Sequence, residues 1–363
     1  TVMKIAITGG AGFVGSNLAI RFKQDHPAAE IIALDNLYRP GSELNLPRLD
    51  EQGITFIKGD VRNPSDIAKL GEVDVLLDCA AEPSVLAGHG SDRDDKARYV
   101  IDTNFLGTVN CLEHLRNFGG RIIFLSSSRV YSMAALREIP LPDKNGRFNP
   151  DTGAVGPGWS EAGVNENFSA AGSRTLYGAS KLAAEMMIEE YAEMYGIEAV
   201  IYRSGVIAGP WQMGKVEQGV FTFWMARHVF GGALNYIGYG GTGRQVRDIL
   251  HIDDLADLVA SRLTDIGNHK GYIFNVGGGA KNAVSLGELT QLCQDISGNQ
   301  LDIGSVIKER PNDIPWYVTD NSKILQTGGW SPQRGTKAIL TDIHHWLVEH
   351  QATLESLFTG ELK

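Results

Sequence analysis

Two residues four positions apart, Tyr177 and Lys181, form the clearest candidate acid–base pair in the sequence. A spacing of four places both side chains on one face of a helix, one turn apart. A tyrosine hydroxyl is a poor base because its pKa is about 10, but a neighbouring ammonium favours the phenolate and lowers that pKa. The pair therefore predicts a tyrosine that exchanges a proton with a substrate hydroxyl. One stacked tyrosine beside one solvated lysine is the alternative.

A run of serines at 126–128 ends a predicted strand and offers a third group to the same chemistry. A hydroxyl there can hydrogen-bond the substrate oxygen that Tyr177 contacts and can share its proton. The alternative is that the serines only form the turn that follows the strand.

These side chains need a scaffold, and its first element is Met3–Gly15, where a short apolar strand leads into spaced glycines and then a helical pattern. Gly9 permits a tight turn, Gly12 lets a phosphate approach bare backbone, and Gly15 allows close helix–strand packing. The helix N-terminus offers N–H groups and a positive dipole end to that phosphate. About twenty residues further on, Asp35 ends a second apolar strand, where a carboxylate holds an adenosine ribose and repels a 2′-phosphate. Although a glycine turn alone can be structural, this combination predicts a dinucleotide site that prefers NAD to NADP.

Apolar strand patterns alternate with helical patterns up to about residue 200, which is typical of a parallel sheet. Right-handed crossovers then produce an α/β fold, a Rossmann-type doubly wound sheet with its ligand at the carboxyl ends of the strands. Asp60–Val61 follows the third strand, where we expect a contact to adenine, and Ala80–Ala81 follows the fourth. The predicted strands are Lys4–Thr8, Glu30–Asp35, Thr55–Lys58, Val73–Cys79, Arg121–Ser126 and Glu198–Tyr202, and the predicted helices among them are Val14–Lys23, Ser65–Leu70, Arg98–Asn117 and Ser180–Tyr195.

The alternation becomes irregular after residue 210. We therefore expect residues 1–210 to form the NAD-binding domain and residues 211–363 to form a smaller C-terminal mixed α/β lobe that binds the substrate. The polar stretch His89–Lys96 is interpreted as a surface excursion, and Ala134–Phe168 as a long loop over the active-site mouth. Further helices are predicted near Gly219–Val229, Asp253–Thr264 and Leu286–Ser297.

The 363 residues have a formal net charge of −10, which argues against nucleic acid or an anionic membrane as a partner. No apolar run approaches the roughly 18 residues of a membrane span, and because an apolar strand pattern begins at once, we expect no signal peptide. We expect a cytoplasmic protein in which Cys79, Cys111 and Cys293 are reduced. We find no metal-ligand spacing, and His344–His345 is interpreted as a chance pair on a helix surface.

The motifs, taken in chain order, resemble the extended short-chain dehydrogenase/reductase family, specifically its nucleotide-sugar epimerases and dehydratases. The resemblance extends over essentially the whole chain and rests on the segments TGGAGFVG, DNL, GDVR, TNFLGT, SSSRVY and YGASK. It implies that Ser127, Tyr177 and Lys181 are catalytic and that NAD is the cofactor. The implied cofactor-binding residues are Gly9, Gly12, Phe13, Val14, Asp35, Asn36, Asp60, Val61, Ala80, Ala81, Asn104, Tyr177 and Lys181.

Sequence differences from two groups of enzymes in this family indicate which activity to expect. The 4,6-dehydratases place Asp-Glu directly after the catalytic hydroxyl, whereas this chain has Ser128–Arg129 and so lacks the acid and base of dehydration. The UDP-galactose 4-epimerases follow the sixth strand with Arg-Tyr-Phe-Asn, whereas this chain has Arg203-Ser-Gly-Val. The chain resembles the 2-epimerases of CDP-linked sugars more closely, in segments 211–224, 243–251 and 309–313.

That closer resemblance implies a nucleotide-diphosphate sugar, CDP-linked, as the substrate. Arg247 would grip its pyrophosphate bidentately, Arg310 would contact phosphate, and Asp313 would contact the ribose. For each arginine the alternative is a surface ion pair. The implied substrate-binding residues are Ser127, Ser128, Arg129, Gln218, Gly219, Val220, Arg247, Arg310 and Asp313.

The implied reaction inverts C2 of a CDP-hexose without net redox change. Tyr177 removes the proton of the sugar hydroxyl while hydride passes to the nicotinamide; the planar ketone turns, and hydride returns to its opposite face. A 4-epimerase of a UDP-hexose, a non-catalytic NAD-binding protein and a dehydrogenase that releases NADH are the alternatives. The nucleotide base and the deoxygenation pattern of the sugar stay open. The resemblance also implies a homodimer or higher homo-oligomer, formed through the helices at Arg98–Asn117 and Ser180–Tyr195.

Overall fold

The computed structural model describes residues 2–89, 96–214, 218–266 and 272–360. The chain divides into two compact units, and each unit is drawn from three separate stretches of sequence. The segment 131–174, which the sequence analysis placed in the first domain, belongs to the second unit, and the segment 256–274 belongs to the first. The first unit comprises Thr1–Val130, Thr175–Arg203 and Ala256–Phe274, and the second comprises Tyr131–Arg174, Ser204–Leu255 and Asn275–Lys363.

The strands and helices are labelled here in chain order. The strands are β1 Lys4–Thr8, β2 Glu30–Asp35, β3 Thr55–Lys58, β4 Val75–Asp78, β5 Arg121–Ser127, β6 Asp143–Lys144, β7 Arg147–Phe148, β8 Val155–Gly156, β9 Trp159–Ser160, β10 Gly163–Val164, β11 Ala199–Ser204, β12 Val206–Ala208, β13 Leu234–Ile237, β14 Val246–His251, β15 Tyr272–Val276, β16 Ala283–Ser285, β17 Ile303–Val306 and β18 Trp316–Tyr317. The α-helices are α1 Phe13–Asp25, α2 Leu46–Glu51, α3 Pro64–Ile67, α4 Lys96–Ile101, α5 Gly107–Phe118, α6 Met133–Arg137, α7 Leu176–Tyr195, α8 Val220–Phe230, α9 Ile252–Arg262, α10 Leu286–Ser297, α11 Ser322–Gly328, α12 Thr336–Glu349 and α13 Gln351–Thr359.

A seven-stranded sheet with the order β15-β11-β5-β4-β1-β2-β3 supports the first unit. β1 pairs in parallel with β2 on one side, Lys4 opposite Glu30, and with β4 on the other, Ile5 opposite Val75. The strand order therefore reverses direction at β1, and loops at this point diverge to leave a crevice at the carboxyl ends of the strands. This is the predicted Rossmann-type doubly wound fold, which is confirmed.

Apolar side chains from the sheet and its flanking helices form the core of the first unit. β1 and β5 contribute residues that helices cover, and such strands are apolar along most of their length because both faces are buried. α5 and α7 turn one apolar face toward the sheet. The buried core includes Ala6, Leu34, Leu76, Leu112, Leu115, Ile122, Phe124, Ala184, Ile188 and Ile201.

The second unit contains a small mixed sheet and a helical layer. β14 lies beside β12, pairs antiparallel with β16 and pairs in parallel with β18. A separate parallel pair joins β13 to β17. Helix α8 packs against α10, α12 and α13, and the Trp224 indole N–H on α8 donates to Thr290 Oγ1 at 2.9 Å. A mixed α/β unit is therefore present toward the C-terminus and includes residues 131–174, but it is not smaller than the first unit, as the sequence had led us to expect.

The sequence-based element bounds differ from the structure at particular places. The helix predicted at Arg98–Asn117 is α4 and α5 joined by a π-helical turn at Asp102–Leu106. The predicted loop Ala134–Phe168 contains most of α6 and the short antiparallel pairs β6–β7 and β8–β9–β10. Strand β15 was not predicted. Residues 90–95 of the predicted excursion at His89–Lys96 lie outside the described residues.

Candidate active site

The glycine turn after β1 is as tight as the sequence predicts. Gly9 has a φ of +64°, and a Cβ placed there would lie 2.9 Å from the backbone of Ala80. A Cβ on Gly15 would overlap the carbonyl oxygen of Gly9, so α1 can approach the turn only because this residue lacks a side chain. Gly12 precedes α1 with no side chain capping the helix and no acidic residue in its first turn. The turn is therefore suited to a pyrophosphate on bare backbone.

Asp35 lies beside this turn at the end of β2. Its carboxylate accepts hydrogen bonds from the backbone N–H of Leu37 at 2.8 Å and of Ala11 at 3.1 Å, which fix its direction. Burial raises the pKa of Asp35, and these backbone hydrogen bonds oppose that rise. The geometry fits a carboxylate held in place to receive the hydroxyls of a ribose.

Asn36 and Asp60 are joined directly. Asn36 Nδ2 donates to Asp60 Oδ2 at 3.0 Å, and Arg62 donates to both carboxylate oxygens of Asp60, at 3.0 and 2.7 Å. Burial favours the neutral acid, but the hydrogen bonds from Arg62 and Asn36 outweigh it and lower the pKa of Asp60 to about 2. The structure thus brings the predicted ribose-side and adenine-side residues into one network, and Val61 beside them is buried.

The loop after β4 is held by buried polar contacts. The Asp78 carboxylate accepts from Thr8 Oγ1 at 2.6 Å and from Thr108 Oγ1 at 2.7 Å, and Thr8 Oγ1 in turn accepts from the backbone N–H of Ala80 at 3.3 Å. Asn104, in the π-helical turn, is fully buried and bonds both the N–H and the C=O of Glu82. Asn104 therefore positions the loop that contains Ala80 and Ala81, because both the oxygen and the nitrogen of its side-chain amide bond the backbone of Glu82.

The predicted catalytic pair of hydroxyls is assembled in the first unit. Ser127 ends β5, is buried, and accepts a hydrogen bond from the backbone N–H of Arg129 at 3.1 Å. Tyr177 lies in the first turn of α7, a helix capped by Thr175, whose hydroxyl accepts from the Gly178 N–H. Ser127 lies close enough to the Tyr177 hydroxyl to lower its pKa.

Lys181, one turn along α7 from Tyr177, is only 2% exposed. Its ammonium donates to the carbonyl oxygen of Leu125 at 2.9 Å and lies 4.5 Å from the centroid of the Phe124 ring. Burial lowers the pKa of Lys181, and the charges of Asp78, Cys79 and Glu185 oppose that fall. The lysine is therefore a buried cation fixed to β5, and the alternative of a solvated lysine is wrong.

The pKa of Tyr177 is set by opposing neighbours. Burial raises it and the charge of Glu82 adds to the rise, while Ser127 and the charge of Arg129 lower it. The lowering expected from Lys181 together with an oxidised nicotinamide ring stays a prediction. Arg129, which the sequence analysis assigned to the substrate, is therefore the residue whose positive charge favours the phenolate.

Sequence reasoning missed a buried ion pair behind these residues. Glu185, one further turn along α7, pairs with Arg203 of β11 at 2.6 Å, and both side chains are nearly inaccessible. The hydroxyl of Ser126 also donates to the Glu185 carboxylate. The spacing of Tyr177, Lys181 and Glu185 at i, i+4 and i+8 was the available signal, because it places all three on one helical face.

In the second unit, two predicted substrate residues contact each other. Arg247 on β14 forms an ion pair with Asp313 at 3.1 Å and also donates to the carbonyl oxygens of Val246 and Ile314. Both side chains are mostly buried. Arg247 thus occurs in the ion pair that was its alternative interpretation, although a buried one, and its contact to phosphate stays a prediction.

The other predicted substrate residues of this unit lie at helix and loop ends. Gly219 has a φ of +70° and precedes Val220, the first residue of α8. A Cβ on Gly219 would lie 2.9 Å from the Gln212 side chain, which explains why glycine is present. Gln218 directly precedes this turn, and Arg310 is joined to Asp313 through a backbone hydrogen bond of 3.4 Å.

Within the described residues, no group of three or more His, Cys, Asp or Glu is placed to hold a metal ion. None of the helices in the described ranges is both long and apolar enough to cross a membrane. Cys79, Cys111 and Cys293 are unpaired, and burial raises the pKa of each thiol.

Comparison with curated proteins shows relatives along the whole chain. The CDP-paratose 2-epimerase of Salmonella typhi is 29% identical over 350 residues, which cover 95% of this chain and 99% of that protein. A putative UDP-glucose 4-epimerase of Methanocaldococcus jannaschii is 27% identical over 354 residues, which cover 96% of this chain and 100% of that protein.

A solved structure shares both fold and sequence features. A double mutant of DesIV, the dTDP-glucose 4,6-dehydratase of Streptomyces venezuelae, was crystallised with NAD bound; it is 26% identical and superposes with a TM-score of 0.75 over 98% of this chain and 100% of its own.

One protein-family model matches most of the chain. Residues 5–277 match the NAD dependent epimerase/dehydratase family, a span that includes the glycine turn, Ser127, Tyr177 and Lys181. The predictions of an enzyme and of NAD as its cofactor are thereby confirmed. The chain belongs to the NAD dependent epimerase/dehydratase family.

Proposed function

We propose that this protein is a nucleotide-sugar 2-epimerase that inverts C2 of a CDP-linked hexose of the paratose/tyvelose type and retains its NAD throughout the cycle. The observation that supports it most is that Ser127 lies near the Tyr177 hydroxyl, with the buried Lys181 one turn along α7, at the end of a sheet of the dinucleotide-binding type. The similarity to CDP-paratose 2-epimerase over 95% of the chain supports the choice of carbon and nucleotide.

The residues of the first unit fit NAD. The glycine turn provides bare backbone for the pyrophosphate, Asp35 for the adenosine ribose, and the Asn36–Asp60 network for the adenine end. Bound NAD would supply the hydride acceptor for a sugar carbon and the hydride donor for its return. Gly9, Gly12, Phe13, Val14, Asp35, Asn36, Asp60, Val61, Ala80, Ala81, Asn104, Tyr177 and Lys181 are proposed to hold it.

The chain's own residues move one proton. Tyr177 takes the proton of the sugar hydroxyl and later returns it, which is the task of a positioned general base and acid. Ser127 lies near that tyrosine and can share the proton. Lys181 contributes a fixed cation next to β5.

Two features argue against a dehydratase. Dehydratases have Asp-Glu at the positions of Ser128 and Arg129, and neither of these side chains has a carboxyl group that could act as the acid or base of water elimination. Arg129 instead places a positive charge near the Tyr177 hydroxyl, where it can also contact the substrate. In the second unit, Gln218, Gly219, Val220, Arg247, Arg310 and Asp313 are proposed to bind the nucleotide diphosphate.

A 4-epimerase of a UDP-hexose is the second candidate. The similarity to a putative UDP-glucose 4-epimerase over 96% of the chain favours it. The same Ser127, Tyr177 and Lys181 would then act at C4 instead of C2, so only the bound orientation and nucleotide would differ.

The proposed active form is a homodimer in the cytoplasm. On α7, Met186, Met194 and Tyr195 are 56%, 67% and 48% exposed, and Leu106 and Phe118 flank and end α5 with 37% and 50% exposed. Exposed apolar side chains on neighbouring helices are typical of an association surface. The unpaired cysteines favour a reducing compartment.

The test is a substrate panel with protein purified without added cofactor. CDP-, UDP- and GDP-hexoses, including a CDP-3,6-dideoxyhexose, are incubated and followed by proton NMR at C2 and C4. Inversion at C2 of a CDP-sugar without external NAD, abolished in Tyr177→Phe, supports the proposal. Inversion only at C4 replaces it with the second candidate. No inversion with intact NAD binding indicates a non-catalytic protein.

A further inference from the structure

The Glu185–Arg203 pair is the most deeply buried ion pair found among the described residues. Arg203 Nε lies 3.1 Å from both carboxylate oxygens, and Nη2 lies 2.6 Å from Oε2. Taking two charges out of water is costly, and well-packed apolar residues often replace a buried pair without loss of stability. Stability alone therefore does not explain why this ion pair is present, and its contacts provide a better explanation.

Glu185 contacts the strand end that presents Ser127. The Ser126 hydroxyl donates to its carboxylate, and Ser126 directly precedes Ser127 on β5. This bond therefore fixes the backbone of β5 directly before Ser127. The preceding residue, Leu125, accepts the hydrogen bond of Lys181. Two consecutive residues of β5, Leu125 and Ser126, are thus tied to α7.

The charges around Lys181 come from two elements. Asp78 at the end of β4 and Cys79 after it act on the ammonium from one element, and Glu185 acts on it from α7. Strand β5 contributes the Leu125 carbonyl and the Phe124 ring described above. Around Glu185 the charged groups are Arg203 on β11 and Glu189 on α7, whose pKa burial and Glu185 both raise.

We propose that Glu185, held in place by Arg203, is a positioning residue that places a carboxylate one turn along α7 from Lys181 and fixes the end of β5 that presents Ser127. The inference rests on the proposed function only in that Ser127, Tyr177 and Lys181 are its catalytic group. Glu185 contacts neither substrate nor cofactor in this account; it acts through Lys181 and Ser126.

The test uses two variants that remove opposite charges behind Lys181. Glu185→Gln removes the negative charge and leaves the Arg203 cation, whereas Arg203→Gln leaves the Glu185 anion. A purely structural role predicts that both variants behave alike. Glu198→Gln, which breaks the exposed Arg121–Glu198 pair at the opposite ends of β5 and β11, is the matched control. Glu185→Leu with Arg203→Met is included because an apolar pair can fold where a single charge does not.

The readout is NAD affinity of the full-length protein from pH 6 to 10, measured by calorimetry on stripped enzyme, with the melting temperature measured in parallel. Affinity should fall at alkaline pH as Lys181 loses its proton. Because removal of a nearby anion disfavours an ammonium, the midpoint in Glu185→Gln should move about one unit to lower pH, and the Leu/Met variant should move in the same direction. Arg203→Gln should not move it to lower pH, and Glu198→Gln should match the wild type.

A drop in melting temperature with unchanged midpoints, or equal shifts in Glu185→Gln and Arg203→Gln, would overturn the proposal. If Glu185→Gln does not fold, an unshifted midpoint in the Leu/Met variant overturns it as well. These results are independent of sugar turnover. A wild-type enzyme that inverts no nucleotide sugar removes the proposed function but leaves this titration readable.

Discussion

Ser127 lies close enough to the Tyr177 hydroxyl to lower its pKa, although 50 residues separate the two in the sequence. The serine acts against burial, which raises that pKa. Ser127 therefore favours the active form of the base.

Ser127→Ala is expected to reduce kcat about 10²-fold, as loss of one group that shares a proton in the transition state typically does. The rising limb of the pH–rate profile should also move to higher pH, because the tyrosine loses a neighbour that lowers its pKa. Steady-state kinetics across pH measure both effects, and Ser356→Ala, at an exposed position on α13, is the control. Equal rates in the two variants would remove Ser127 from the catalytic group.

Tyr177→Phe is expected to lower kcat by about 10³-fold or more while NAD stays bound, since only the hydroxyl that accepts the proton is lost. The absorbance of NAD released by denaturation measures retention, and NMR measures turnover. A variant that turns over at the wild-type rate would show that another group is the base.

Arg129→Gln tests the source of positive charge near the phenolate. Arg129 lowers the pKa of Tyr177, so its loss should raise that pKa and shift the rising limb of kcat to higher pH. Arg129→Lys should restore most of the wild-type profile, because it restores the charge. If the Gln profile matches the wild type, the arginine serves the substrate alone.

Gly15→Ala tests the approach of α1 to the glycine turn. The added Cβ would overlap the Gly9 carbonyl oxygen, so the turn must open and NAD affinity should fall at least tenfold, a loss of about 1.4 kcal/mol. Gly287→Ala, in the first turn of α10, is the control because the nearest atom to its Cβ would be 3.7 Å away. Calorimetry on stripped protein gives both affinities, and an unchanged affinity in Gly15→Ala would contradict the predicted cofactor position.

Met186→Lys with Met194→Glu tests the proposed dimer. Both side chains lie on the exposed face of α7, at 56% and 67% exposure, and burying charges in an apolar interface is costly. The double variant should sediment as a monomer with unchanged NAD content. A wild-type protein that is itself monomeric at micromolar concentration would show that this face is not the interface.

The sequence predicted some parts of this structure to the residue. β1, β2 and β3 begin and end where their apolar runs do, because short buried strands between glycine-containing turns are specified locally. The short strands within 143–164 were missed because they depend on distant contacts: the Val164 N–H donates to the Val318 carbonyl, over 150 residues away.

The same limit applies to the site. Tyr177 and Lys181 could be found from one helical spacing, and Ser127 from the end of a strand. The Glu185–Arg203 and Arg247–Asp313 pairs could not, since each joins elements whose proximity only the folded chain determines. The pKa of Tyr177 was expected to fall through Lys181, whereas the direction of the lysine toward Leu125 is a property of the packed site.

The most direct test of the account follows a CDP-hexose that has deuterium at C2. Hydride removal and return within one active site predicts an inverted product that keeps the deuterium at C2, formed without added NAD. Loss of that deuterium to water would show proton abstraction at carbon instead, and inversion at C4 with C2 untouched would show that the carbon has been assigned incorrectly. Either result would contradict the central claim.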